Sequence, residues 1–215
     1  MVQWFNPAGV RSMRQMFSQP HLLMPHMAVP DIRSIPYELL RDRGIKYVVF
    51  DKDNCLTAPY VDQIHPEFID AWRRCRAVFP GPRVLIVSNS AGTPDDTGDE
   101  AAKKVEAALG VPVLRHRTKK PGCGSEVLDG LCGLARVPVG SIGPDQVAVV
   151  GDRLATDVLL ANKTGMLSVW TRNIITTKGD NAVASLVRRL EHGVYEVLKG
   201  RGVQAPAHTS GLSKP

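Results

Sequence analysis

The chain alternates short apolar runs with stretches of helical periodicity, and this alternation limits the folds that it can adopt. Runs rich in Val, Ile and Leu that end at turn residues are typical of strands buried on both faces. Helices between such strands provide the crossovers that a parallel sheet needs. The sequence therefore predicts an α/β fold, with a parallel sheet of about five strands and helices on both faces. The predicted strands are residues 46–50, 83–87, 111–114, 146–150 and 166–170.

Helical segments fill the intervals between the predicted strands. Their apolar residues are spaced three or four apart, and the first helix is predicted to begin after an N-cap at Ser34. The predicted helices cover residues 34–44, 65–78, 100–109, 122–135 and 182–198, and a further helix ends at Lys163. The last helix carries six apolar residues that we assign to one face, namely Val183, Leu186, Val187, Leu190, Val194 and Val197.

The two ends of the chain differ in character from the middle. Before Asp31 there are two arginines and no acidic residue, and apolar residues from Val10 to Phe17 fall on one helical face. Such a segment is typical of membrane-interface or mitochondrial targeting sequences, and an arm packed on the domain or on a neighbouring subunit is the alternative. No run reaches the roughly 18 apolar residues of a spanning helix. We therefore divide the chain into an N-terminal membrane-associating or targeting segment (1–33), one domain (34–199) and a disordered tail (200–215).

Two carboxylates come directly after the first predicted strand, at Asp51 and Asp53. Because burying unpaired charge is costly, the chain has to leave the sheet here, and ligands bind at the carboxyl ends of parallel strands. So placed, Asp51 can attack phosphorus to form an aspartyl-phosphate. Asp53 can protonate the leaving alkoxide and then activate water. A surface loop with two solvated acids is the alternative, since short motifs often match by chance.

Three later strand ends carry polar residues that fit this chemistry. Ser88 is placed to hydrogen-bond a phosphate oxygen, although a lone serine more often serves a turn. Lys120 can neutralise an aspartyl-phosphate; a solvated basic loop is the alternative, and the adjacent Lys119 leaves open which lysine points inward, although the proline that follows favours Lys120. Asp152 suits a third carboxylate for Mg²⁺. Asp157 can bind metal through water, orient Lys120 or occupy the first turn of a helix.

The composition limits the partners and the compartment. Lys and Arg number 27 against 21 Asp and Glu, which gives a net charge of +6. A basic chain favours acidic partners, and without an aromatic–basic stripe or a known nucleic-acid module we expect an anionic phospholipid membrane rather than nucleic acid. The four cysteines lack C-x-x-C spacing and are predicted to be free thiols in a reducing compartment, with Cys55 as a packing residue. A homo-oligomer remains open.

The ordered set of motifs is more specific than any one of them. DKDNCLT (51–57), VSNS (87–90), KKP (119–121) and GDRLATD (151–157) resemble the four motifs of the haloacid dehalogenase superfamily of aspartate-nucleophile phosphatases. The resemblance spans about residues 46–170 and implies a Rossmann-like sheet, Mg²⁺ as the cofactor and a covalent intermediate on Asp51. The implied site residues are Asp51 and Asp53 for catalysis, Thr57, Ser88, Asn89 and Lys120 for phosphate, and Asp51, Asp53, Asp152 and Asp157 for the metal.

The spacing of these motifs leaves no room for a cap domain, because each interval is filled by a helix, loops and a strand. An open site suits a substrate that is already held on something large, such as a membrane or a protein. Within the superfamily, YVVFDKDNCLTAPY and VVGDRLATDVLLANKTGM look similar to the fungal mitochondrial phosphatidylglycerophosphate phosphatases and their bacterial relatives. This likeness implies hydrolysis of phosphatidylglycerophosphate to phosphatidylglycerol and phosphate in cardiolipin biosynthesis. It also implies a peripheral protein on the matrix side of the mitochondrial inner membrane.

Two other functions stay open at this point. One is a capless phosphatase that acts on a phosphoprotein or a soluble phosphomonoester. The other is a non-catalytic module that binds anionic membranes. A module of that kind has no use for Asp53, an acid–base group placed to hydrolyse its own intermediate, so the phosphatases are favoured.

Overall fold

The computed structural model of the chain describes residues 18–176 and 182–212. Five short strands form its central sheet: β1 (Met27–Val29), β2 (Tyr47–Phe50), β3 (Val84–Ile86), β4 (Val147–Gly151) and β5 (Leu167–Thr171). They pair in the order β1-β5-β4-β2-β3, and every pairing is parallel. The predicted α/β class and parallel sheet are therefore confirmed.

Helices cover both faces of the sheet. The helices whose bounds lie within the described residues are α1 (Tyr37–Asp42), α2 (Ile69–Val78), α3 (Glu100–Leu109), α4 (Gly124–Ala135), α5 (Leu159–Thr164) and α6 (Ala182–Gly200). Along β2, Val48 and Phe50 pack with α1, α2 and α3, whereas Val49 packs on the opposite face with α4 and α5. A third cluster surrounds Trp170 of β5 and includes Tyr195 and Leu198 of α6.

The set of strands differs from the prediction at two places. Residues 111–114 form a single bridge, between Val113 and Ile86, and not a strand. Pro112 has no N–H to give to a ladder, which limits the pairing that this segment can make. The strand that completes the five-stranded sheet is β1, which was not predicted and lies at the edge opposite β3.

The boundary predicted at residue 33 is wrong, because the residues just before it belong to the domain. Met27–Val29 pair with Val169–Thr171, and Leu23 and Met24 are each 1% exposed. His26 is also buried, with its Nδ1 2.8 Å from Ser168 Oγ. The part of the targeting or membrane-associating prediction that concerns residues 1–17 lies outside the described residues. No helix among the described residues combines the length and apolar character needed to cross a membrane.

The C-terminal tail is ordered through Leu212, contrary to the prediction. His26 Nε2 lies 2.9 Å from the carbonyl oxygen of Pro206, and Arg43 donates to the carbonyl oxygen of Ser210 at 3.1 Å. Leu212 packs against the main core cluster. The tail therefore closes over the amino ends of the strands, and the domain extends from residue 18 to residue 212 in the described part of the chain.

One local helix prediction also fails. Ser34 ends a short 3₁₀ helix, and α1 begins only at Tyr37, because Ile35 precedes a proline and is held in an extended conformation. In α6 three of the apolar residues that we assigned to one face are largely exposed: Leu186 is 58%, Leu190 61% and Val197 53% exposed. The helix instead buries Tyr195, Leu198 and two charged residues, Arg188 and Glu191.

Candidate active site

The site begins where β2 ends, at the carboxyl edge of the sheet. The Asp51 N–H donates to the carbonyl oxygen of Val150 in β4 at 2.8 Å, which fixes the nucleophile candidate between two strands. The chain then turns through a compact loop, in which the Asn54 N–H donates to the Thr57 carbonyl at 2.7 Å. The side chain of Asp51 is 12% exposed, so the site is recessed but open.

Lys120 lies at the centre of the site. Its Nζ is 2.5 Å from Asp51 Oδ1 and 2.6 Å from Asp157 Oδ1, and its side chain is 3% exposed. Burial works to lower the pKa of Lys120, but Asp157 and Asp51 outweigh it and raise that pKa. Lys119, whose side chain is 40% exposed, pairs with Asp95. The structure therefore places Lys120, and not Lys119, against the nucleophile.

Two side chains from neighbouring segments hold the Lys120 loop in position. Asn89 Oδ1 accepts a hydrogen bond from the Lys120 backbone N–H at 2.8 Å. His116 bridges the carbonyl oxygens of Ser88 and Thr118, at 2.9 and 2.7 Å. The resemblance assigns Asn89 to phosphate binding, but in this structure its side-chain oxygen positions Lys120. Ser88 Oγ lies 2.9 Å from Ser90 Oγ at the tip of β3.

Three carboxylates meet beside Lys120. Asp51, Asp152 and Asp157 each offer one oxygen, and these oxygens all lie within 4.8 Å of one another. Gly151 allows this approach, because a Cβ at that position would lie 2.3 Å from Asp157 Cγ. Burial, together with the other carboxylates, raises the pKa of Asp51 to about 6 and that of Asp152 to about 8. Such a cluster of buried acids is stabilised by positive charge.

Positive charge reaches Asp152 from α6. The Arg188 Nε donates to Asp152 Oδ2 at 2.6 Å, and this interaction works against the rise in the Asp152 pKa. Glu191, one turn later, accepts from the Ala155 backbone N–H at 3.0 Å. The last helix is therefore joined to the loop that carries two of the three carboxylates.

The second aspartate of the motif lies apart from this cluster. Asp53 Oδ1 accepts a hydrogen bond from Lys52 Nζ at 2.8 Å, and the side chain is 37% exposed. Its carboxylate is not among the three clustered ones, so the described side chains do not bring it to the metal position that we predicted. Thr57 is fully buried, with its hydroxyl 3.4 Å from the Lys52 carbonyl oxygen. It shapes the loop in this structure, and its role in phosphate binding stays a prediction.

Comparison with known proteins shows the family of the chain. The model of the family described as "Mitochondrial PGP phosphatase" matches residues 8–176. This chain belongs to that family. It is 37% identical to the mitochondrial phosphatidylglycerophosphatase GEP4 of Saccharomyces cerevisiae, over 90% of this chain and 98% of the yeast protein. It is 40% identical to the chloroplastic phosphatidylglycerophosphate phosphatase 1 of Chlamydomonas reinhardtii, over 96% of this chain and 74% of the algal protein.

The site of this chain has no cap domain over it in the described residues. From Asp51 to Lys120, a stretch that the structure describes in full, the chain forms loops, α2, β3, α3 and short 3₁₀ turns, with no inserted domain. The prediction of a capless site is therefore confirmed. All four cysteines are buried and free, and burial raises the pKa of Cys55, so this thiol packs the loop beside the site as predicted.

The sequence analysis assigns no role to three side chains that contact the site. These are Lys52, which bonds Asp53, His116, which holds the Lys120 loop, and Arg188, which bonds Asp152. Arg188 gave no signal in the sequence, since it lies far along the chain in a helix and beyond the residues that the family model matches.

Proposed function

We propose that this chain hydrolyses phosphatidylglycerophosphate through an aspartyl-phosphate on Asp51. The observation that carries the proposal is the buried ammonium of Lys120, within hydrogen-bond distance of Asp51 and Asp157. An ammonium at this position keeps a recessed carboxylate available as a nucleophile and offsets the charge of a bound phosphate. With a pKa of about 6, Asp51 is mainly ionised at neutral pH.

The reaction has two steps. In the first, a carboxylate oxygen of Asp51 attacks phosphorus, and the bond from phosphorus to the glycerol oxygen breaks while Asp53 gives its proton to that oxygen. In the second, Asp53 takes a proton from water, the water oxygen attacks phosphorus, and inorganic phosphate leaves Asp51. Phosphatidylglycerol is the other product. Asp53 suits this exchange because it is partly exposed and lies two residues after the nucleophile.

We also propose that Mg²⁺ binds at Asp51, Asp152 and Asp157. These residues fit the ion, because hard carboxylate oxygens are its usual protein ligands and the three oxygens already converge within 4.8 Å. When bound, Mg²⁺ reduces the repulsion between the carboxylates and the phosphate and so favours attack on phosphorus. Asp157 then serves both the ion and Lys120.

The family supports the lipid substrate and the location. Relatives that align over nearly their whole length are named phosphatidylglycerophosphatases, and the yeast protein is named as mitochondrial. We propose that this chain acts peripherally on the matrix side of the mitochondrial inner membrane, in cardiolipin biosynthesis, and that residues 1–17 contribute to membrane association or targeting. The partner of the protein is then an anionic phospholipid surface.

Trapping the intermediate tests the mechanism. Substrate labelled with ³²P on the terminal phosphate is mixed with enzyme and quenched in acid. The wild type is expected to carry label and Asp51→Asn to carry none, whereas Asp53→Asn is expected to release phosphate far more slowly, because both steps lose their acid–base group. Label of equal intensity on Asp51→Asn excludes the covalent role of Asp51.

A substrate panel tests the specificity. Release of phosphate is measured for detergent-dispersed phosphatidylglycerophosphate, for other phosphorylated lipids, for soluble phosphomonoesters and for phosphopeptides. The proposal requires the highest kcat/KM for phosphatidylglycerophosphate. A higher value for a phosphopeptide or a soluble phosphomonoester would favour the alternative of a general capless phosphatase.

A further inference from the structure

An exposed aromatic residue lies at the rim of the site. The chain leaves the catalytic loop at Thr57 and returns at His65, whose N–H donates to the Leu56 carbonyl oxygen at 3.0 Å. At the tip of this excursion Tyr60 is 85% exposed and Val61 is 43% exposed. Packing within the described residues therefore does not account for the ring of Tyr60.

The backbone does not account for it either. The Val61 N–H donates to the Ala58 carbonyl at 3.1 Å, with Pro59 and Tyr60 at the two central positions of the turn. Tyr60 has a φ of 62°, in the left-handed region, where glycine or asparagine is the favoured residue. Tyrosine at this position is therefore unfavourable for the turn. Its presence is better explained by what the side chain contacts outside the chain.

A buried lysine fixes this tip beside the catalytic machinery. Lys52 is 5% exposed, and its Nζ donates to Asp53 Oδ1 at 2.8 Å and to the carbonyl oxygen of Val61 at 2.9 Å. The ammonium also lies 3.7 Å from Asp62. One cation thus joins the backbone of the tip to the proposed acid–base residue, so that the tip and Asp53 hold a fixed spacing.

We infer that Tyr60 and Val61 insert into the surface of an anionic phospholipid bilayer and so dock the site on its substrate. This inference rests on the proposed lipid substrate. The tip lies on the carboxyl edge of the sheet, the edge on which Asp51 and Lys120 lie, so a bilayer at this edge presents phosphate monoesters to the recessed nucleophile. Tyrosine suits the boundary between head groups and acyl chains, because its ring is apolar and its hydroxyl is polar.

One exposed basic residue at this edge suits an anionic lipid surface. Arg117 is exposed in the loop that leads to Lys120, and a basic residue near an anionic leaflet is attracted to it. Arg115, in contrast, is paired with Glu106, and the Asp62 carboxylate beside the tip is 41% exposed but lies 3.7 Å from the Lys52 ammonium. A few apolar contacts with modest positive charge are typical of peripheral binding.

The test replaces Tyr60 by glycine, which the left-handed backbone accommodates, so the variant is expected to keep its thermal unfolding midpoint. Hydrolysis is measured on vesicles of phosphatidylcholine with phosphatidylglycerophosphate and on soluble 4-nitrophenyl phosphate, and vesicle binding is measured by sedimentation. Loss of an inserted ring is expected to lower kcat/KM on vesicles by about tenfold. The loss on 4-nitrophenyl phosphate is expected to be at least about fivefold smaller, because that substrate needs no bilayer contact.

Three further variants make the result specific. Val139 is 75% exposed in the loop that leads to the amino end of β4, at the opposite edge of the sheet. Val139→Ser removes an exposed apolar group there and is expected to leave vesicle hydrolysis unchanged. Tyr60→Trp, which keeps an interfacial aromatic ring, is expected to retain vesicle activity. Leu190→Ser probes the exposed side of α6, the rival apolar surface, and is expected to leave vesicle binding unchanged.

Several outcomes overturn the inference. Unchanged vesicle hydrolysis in Tyr60→Gly excludes the tip as a lipid contact, and an equal loss on both substrates assigns Tyr60 to the shape of the catalytic loop. Loss of vesicle binding in Leu190→Ser, with none in Tyr60→Gly, moves the lipid surface to α6. The proposed function fails separately, if the wild type does not hydrolyse phosphatidylglycerophosphate dispersed in detergent.

Discussion

Replacing Lys120 by methionine tests whether one cation holds the active site together. Methionine keeps much of the length and volume of the side chain but removes the ammonium that lies between Asp51 and Asp157. Both carboxylates are then buried without their nearest positive charge. Removing one partner of a buried ion pair costs about 3–5 kcal/mol, which is a large share of the roughly 5–15 kcal/mol by which a domain is stable.

Urea unfolding followed by tryptophan fluorescence, with chelator at neutral pH, measures this cost. Lys119→Met is the matched control, because Lys119 is in the same loop but pairs with Asp95 at the surface, where such a pair contributes about 0–1 kcal/mol. The double variant Lys120→Met with Asp157→Asn removes one of the two uncompensated charges. Its loss of stability is expected to be smaller than the sum of the two single losses.

Activity gives a second readout for the same variants. Lys120→Met is expected to lose most of its phosphatase activity on 4-nitrophenyl phosphate, since no other ammonium in the described part of the chain contacts Asp51. Lys119→Met is expected to keep it. If Lys120→Met and Lys119→Met have the same free energy of unfolding and the same activity, the central role of Lys120 is refuted.

Three further perturbations test other parts of the site and fold. Asp152→Asn is expected to raise the Mg²⁺ concentration for half-maximal activity, and an unchanged Mg²⁺ titration would contradict its role as a ligand. Because the folded-state pKa values of Asp51 and Asp152 are raised to about 6 and about 8, the folded protein binds these protons more tightly than the unfolded chain does. In chelator its melting temperature should therefore fall as pH rises from about pH 7 to about pH 8, above the range in which buried His26, with its pKa lowered to about 4, gives the opposite trend. Saturating Mg²⁺ should weaken this fall, and a melting temperature that rises over this range would contradict it. Deletion of residues 1–30 removes β1 and the buried Leu23 and is expected to prevent folding. Deletion of residues 1–17 is expected to retain activity on a soluble aryl phosphate. Equal stability of the two deletion variants in thermal melting would contradict this difference.

The central elements of the fold could be predicted because their signals are local. β2 and β4 are continuous apolar runs that end in acids, and both the burial and the position of Asp51 and Asp152 follow from that pattern. β1 gave no such signal, since it has only three residues between two prolines. Its place in the sheet is decided by pairing with β5, which is a long-range contact.

The site residues that could be predicted are those that come directly after an apolar strand in the sequence. Lys120 could be favoured over Lys119 only through the proline that follows it, and the structure supplies the reason in the Asn89 hydrogen bond to its backbone. Arg188 and Lys52 were missed because their roles depend on tertiary contacts. The burial of Arg188 and Glu191 in α6 could not be predicted for the same reason, because it depends on their contacts with the loop that carries Asp152 and Asp157.

The pairing of β1 with β5 has a consequence for how the protein is made. His26 and Ser168, which meet across this pair, are separated by 142 positions. A ribosome that adds about 5–20 residues per second needs on the order of ten to thirty seconds to synthesise that interval. During this time the segment around β1 has emerged while its partner strand does not yet exist. The segment around β1 therefore stays unpaired and accessible to other proteins until β5 has been synthesised, and the β1 edge of the sheet is expected to form last.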